Sequence, residues 1–92
     1  MGFELSATAK IRLRFPTRQQ LSAVFEALEP ETRSSVTGRS EVMMTMDDKA
    51  LMLTLVFTAK DTSALRAAVN SYLHWARLTM DALESLGHSR NA

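Results

Sequence analysis

From Asp61 to Leu86 the chain runs 26 positions with neither proline nor glycine, enough for a helix of roughly 39 Å at 1.5 Å per residue. Asp61 is a good N-cap and places negative charge at the positive end of the helix dipole, while Gly87 is the expected stop. On a helical wheel, Arg66, Asn70, His74, Arg77, Asp81 and Glu84 form one thin polar stripe. Leu65, Ala68, Val69, Tyr72, Leu73, Trp75, Ala76, Met80, Leu83 and Leu86 fill roughly half the circumference. A helix resting on one small domain needs an apolar stripe of about 100° or a little more. The excess must be covered, and a chain of 92 residues has little left to cover it with. Several of Leu73, Trp75, Leu78, Met80 and Leu86 are therefore expected to stay partly exposed in a lone copy, as an interaction surface.

The rest of the chain reads as strand, helix, strand, strand. Ala7, Ala9, Ile11, Leu13 and Phe15 alternate with Thr8, Lys10, Arg12 and Arg14, which predicts a strand over about Phe3 to Phe15 with one charged face. Thr17 and Gln20 form a capping-box pair. Leu21, Val24, Phe25 and Leu28 give the next helix one apolar stripe, and Pro30 is expected to end it at Glu29. The polar stretch from Pro30 to Gly38 reads as a loop. Strands follow at about Arg39 to Met46 and Ala50 to Lys60, joined by a hairpin turn at Asp47, Asp48 and Lys49. The predicted fold is one α+β domain over residues 1–92 in the order β-α-β-β-α. Its sheet has three mostly antiparallel strands, with both helices on one face. Met43, Met52 and Val56 fall on the other face, which is more apolar than an open face usually is. Two open sheet edges are a liability. Pairing one of them with a second copy would give a six-stranded sheet.

Chemistry finds little footing in these residues. With no cysteine, thiol catalysis, disulfides and thiolate-based zinc sites are excluded. Asp47 and Asp48 lack the spacing of a calcium loop, and Gly38 and Gly87 form no phosphate-cradling pattern. His74 and Asp81 lie two turns apart on the polar stripe, too far for an acid–base pair, so His74 reads as a solvated side chain. No catalytic, cofactor or metal residue is expected. The longest apolar run falls well short of a membrane span and no secretory signal is evident at Met1 onward, so a cytoplasmic protein without a membrane role is expected. A net charge of +1 gives no strong footprint for nucleic acid. Local cations nevertheless gather at Lys10, Arg12 and Arg14, with Arg33 and Arg39 nearby in sequence.

The run AKDTSALRAAVNSYLHWA, positions 59–76, resembles the small Pcc-one subunit family of the KEOPS (EKC) complex, related to the CTAG/LAGE proteins. Phe15-Pro16-Thr17 and ALEPE at positions 27–31 resemble the family's earlier half, and the likeness extends over about 9–84. The resemblance implies a non-catalytic protein that forms homodimers by sheet extension. It also implies that the helices dock the ATP-dependent threonylcarbamoyl-transferring subunit, with a kinase-like subunit reached indirectly. The assembly makes threonylcarbamoyladenosine in tRNAs that read codons beginning with A. The partner interface implied by helix face and resemblance together is Leu65, Arg66, Val69, Asn70, Tyr72, Leu73, Trp75, Ala76, Met80 and Leu83. A weak tRNA contact would fall to Lys10, Arg12, Arg14, Arg33 and Arg39. The alternative is an autonomous RNA-binding module working through the basic strand face, although the GXXG loop and exposed sheet aromatics of common RNA modules are missing.

Overall fold

The structure is a computed structural model that describes the backbone of residues 6–33 and 40–91, with side chains described over 6–32 and 40–86. The order is β1 (Ala7–Arg14), α1 (Arg18–Arg33), β2 (Ser40–Asp47), β3 (Met52–Ala59) and α2 (Thr62–Asn91). The sheet order is β1-β3-β2, and both pairings are antiparallel, so the sheet is wholly rather than mostly antiparallel.

Strand alternation divides the sheet into two faces. On the inner face Ala9, Phe57 and Val42 form one row, Ile11, Leu55 and Met44 the next, and Leu13, Leu53 and Met46 a third. Leu53, Leu55 and Phe57 at the centre are fully buried, because β3 has a strand on each side and helices above. Leu21, Val24 and Leu28 of α1 and Tyr72 and Ala76 of α2 close this core. Burying each large side chain contributes about 1.5–3 kcal/mol against the entropy of ordering so short a chain. On the outer face lie Lys10, Val56 and Met43, then Arg12, Thr54 and Thr45, then Arg14, Met52 and Asp47. Met43 on this face is 69% exposed.

Local chemistry sets most element ends as expected. The Thr17 hydroxyl accepts from the Gln20 backbone N–H at 3.1 Å and donates to Gln20 Oε1 at 3.2 Å. Asp61 Oδ1 accepts from the Ala64 N–H at 2.7 Å, capping α2. Asp47 Oδ1 accepts from the N–H groups of Lys49 and Ala50 at 3.0 and 3.1 Å, which folds the hairpin turn. Leu51 closes that turn at φ 55, a left-handed position usually given to glycine.

Several boundaries differ from the sequence expectation. Pro30 lies inside α1, which continues to Arg33. Proline there removes the N–H that would reach the Glu26 carbonyl and crowds that carbonyl, a local cost that a helix anchored by the buried Leu21, Val24 and Leu28 overrides. The Thr32 hydroxyl donates to the Glu29 carbonyl at 2.7 Å and supports this turn. The helix takes positions 30–33 of the predicted loop; the loop's residues 34–38, and Arg39 at the start of the predicted second strand, lie outside the described residues. Gly87 does not stop α2, which runs on to Asn91. A helical glycine costs about 1 kcal/mol relative to alanine, a handicap and not a terminator. β1 and β3 are also shorter than predicted: Phe15 and Lys60 fall outside them, and Phe3 outside the described residues.

Candidate docking face and groove

Helix α2 lies over β3 and β1, whereas α1 lies nearest β2. Tyr72 is the pivot of the helix. Its ring stands edge-on to Phe57 at 5.5 Å and to Trp75 at 5.2 Å, so an aromatic series climbs from the sheet centre to the helix flank. Each such pair adds about 0.5–1.5 kcal/mol beyond its buried area. Burial raises the Tyr72 phenol pKa above its ordinary value, and the negative charge of Glu31 adds to the rise.

The ten expected interface residues fall into three groups. Tyr72 and Ala76 are buried in the chain's own core. Leu65, Val69, Trp75, Met80 and Leu83 are half-buried. Arg66, Asn70 and Leu73 are exposed. Beyond these ten, Leu78 and Leu86 are 51% and 62% exposed, against 37% for Leu73. Packing against the core ends at Met80. The excess apolar width foreseen from the wheel is therefore present on both flanks. Leu73 and Met80 lie two turns apart on one flank, and Leu78 sits about 140° round the helix from Leu73.

The Leu73 flank faces a groove of about 280 Å³ that sequence reasoning did not foresee. Leu13, Phe15 and Pro16 form its strand side, and Leu73, Ala76 and Met80 its helix side. Arg14 and Arg77 also line it. Pro16 reads in sequence only as a strand terminator; in space it is a wall. The corner is pinned from behind: the Phe15 N–H donates to the Leu51 carbonyl at 2.8 Å, and Arg18 pairs with Asp48 at 3.0 Å. The left-handed Leu51 aims its carbonyl at the corner, a use of backbone strain that the sequence did not signal.

The cationic residues are divided. Lys10, Arg12 and Arg14 stand exposed in one column along β1. Arg33 ends α1, with its side chain outside the described residues. His74 is exposed. Among the described residues no group of three or more His, Asp or Glu side chains is placed to hold a metal ion. None of the described helices is long and apolar enough to cross a membrane.

A β-α-β-β-α sheet with a long helix left apolar on both flanks defines a small interaction domain. The chain belongs to the family described as transcription factor Pcc1, whose model matches residues 8–84. It is 32% identical over 74 residues to the KEOPS complex subunit Pcc1 of Pyrococcus abyssi (strain GE5 / Orsay), covering 80% of this chain and 88% of that protein. Its fold matches a chain in a crystal structure of a binary Gon7–Pcc1 complex with a TM-score of 0.73 at 19% identity. That match covers 87% of this chain and 95% of the other.

Proposed function

We propose that this chain is a non-catalytic scaffold subunit of a KEOPS complex, supporting threonylcarbamoyladenosine modification of tRNA by holding the assembly together. Family membership and likeness to a KEOPS subunit support the complex. The observation that carries the docking role is the apolar excess of α2, with Leu73 and Leu78 exposed on a helix already anchored by Tyr72 and Ala76. In this proposal α2 receives the threonylcarbamoyl-transferase subunit, through which the kinase-like subunit is reached. The protein acts in the cytoplasm, as one domain over residues 1–92.

The second copy joins at the β2 edge. A two-fold axis through antiparallel edges pairs residues of like face. On β1, registers centred on Lys10, Ile11 or Arg12 all place cation opposite cation, which is destabilising. On β2, a register centred on Met44 sets Glu41 against Asp47, but one centred on Met43 sets Glu41 against Thr45 and Met43 against its own copy. The Met43-centred register joins the two half-apolar outer faces. It also leaves α2 and its groove outside the dimer, because α1 is the helix nearest β2. The two β1 columns then lie at the far edges of the six-stranded sheet, where Lys10 and Arg12 offer weak phosphate contacts to tRNA held by the complex.

Co-expression with the cognate threonylcarbamoyl-transferase subunit tests the proposal. The wild-type chain is expected to co-purify with it, and Leu73→Glu to lose it while remaining folded. Failure of the wild type to bind would sink the docking role. Equal binding by Leu73→Glu would move the interface off this flank.

A further inference from the structure

The groove beside Leu73 carries more information than its apolar floor. Arg14 and Arg77, one from the strand and one from the helix, line an otherwise apolar depression. Both are exposed, and neither has an ion-pair partner among the described residues. Asp81, one turn beyond Arg77 on the polar stripe, makes no ion pair with it. We propose that this groove receives one apolar side chain from a helix of the partner protein, and that carboxylates flanking that side chain pair with Arg14 and Arg77.

Three features select this occupant. At about 280 Å³ the depression is at or below the small end of small-molecule pockets, and Arg14 and Arg77 are the only charged residues along its lining. It continues onto the exposed Leu73 of α2, as a seat for a helix laid alongside would. Guanidiniums on an apolar rim favour acidic segments and repel basic ones, so they select partner and register more than they add affinity. The seat is also braced by the backbone before binding. The Phe15 N–H bond to the Leu51 carbonyl ties the strand-side corner to the turn before β3, which lowers the ordering cost of association.

The inference rests on the docking role proposed for α2, and the test separates the two. Affinity for the cognate threonylcarbamoyl-transferase subunit is measured by calorimetry at low and high salt, using the wild type, Arg14→Glu, Arg77→Glu, the double variant and Lys60→Glu. Lys60 is an exposed cation away from the groove, so it controls for net charge. Each groove reversal is expected to weaken binding on the order of tenfold, with the double variant weaker still and Lys60→Glu within about twofold. Wild-type affinity is expected to fall with salt, and the double variant to lose that dependence. Far-ultraviolet dichroism and Trp75 emission confirm that each variant is folded. Tight binding that ignores both reversals overturns the inference and leaves the docking role standing. Absence of wild-type binding overturns both.

Discussion

Replacing Met43 by lysine is the sharpest perturbation of the sheet edge. Met43 sits outward on β2 beside Val56 and is 69% exposed, so a lysine there leaves the monomer stable within about 0.5 kcal/mol. In the proposed dimer Met43 meets its own copy. Full burial of a methionine is worth about 1.5–3 kcal/mol, and the free share of this side chain about 1–2 kcal/mol. Two copies therefore contribute about 2–4 kcal/mol to association. Two facing ammonium groups add a penalty of about 1 kcal/mol, since flexible side chains can splay into water. The sum is about 3–5 kcal/mol, which raises the dimer dissociation constant by about two to three and a half orders of magnitude. Sedimentation equilibrium over a wide concentration range reads it directly. Arg12→Glu serves as the comparison on the opposite edge and is expected to leave the constant within about threefold. A dimer that ignores Met43→Lys and responds strongly to Arg12→Glu would place the two-fold axis on β1 and refute the charge reasoning.

Two further outcomes follow from the fold. Asp61→Ala removes the side-chain acceptor of the Ala64 N–H and is expected to cost about 1 kcal/mol, lowering the melting temperature by roughly 4–8 °C in calorimetry. The folded state holds the Tyr72 proton more tightly than the unfolded chain does, so stability from this group is complete below the ordinary value of 10.0 and is lost as pH rises past it. Urea titrations between pH 8 and 11 should show that loss in the wild type and a shallower one in Tyr72→Phe.

The elements were legible in the sequence where local chemistry and packing agree. Thr17 with Gln20 and Asp61 with Ala64 are capping pairs close in sequence, and the alternation of Leu53, Leu55 and Phe57 marks the buried face of β3 without reference to any other strand. Pro30 and Gly87 misled because a propensity of one to three kcal/mol is a bias that the surrounding helix can override. The apolar width of α2 was equally legible, since a wheel needs only the spacing along one segment. Which residues of that width the core consumes was not: the sheet, not the wheel, puts Tyr72 and Ala76 inside and leaves Leu73 and Leu78 out. The groove was hidden for the same reason. Phe15 and Leu73 are brought together only when β1 pairs with β3 and α2 folds back over both.

The central claim is that one face of this domain serves its twin and a different face the catalytic subunit. Native mass spectrometry of the chain mixed with the cognate threonylcarbamoyl-transferase subunit tests both at once. The predicted species contains two copies of each protein, with Met43→Lys splitting it into one-to-one pairs and Leu73→Glu leaving bare homodimers. A one-to-one complex from the wild type, or a single substitution that abolishes both contacts in folded protein, would contradict the division of faces.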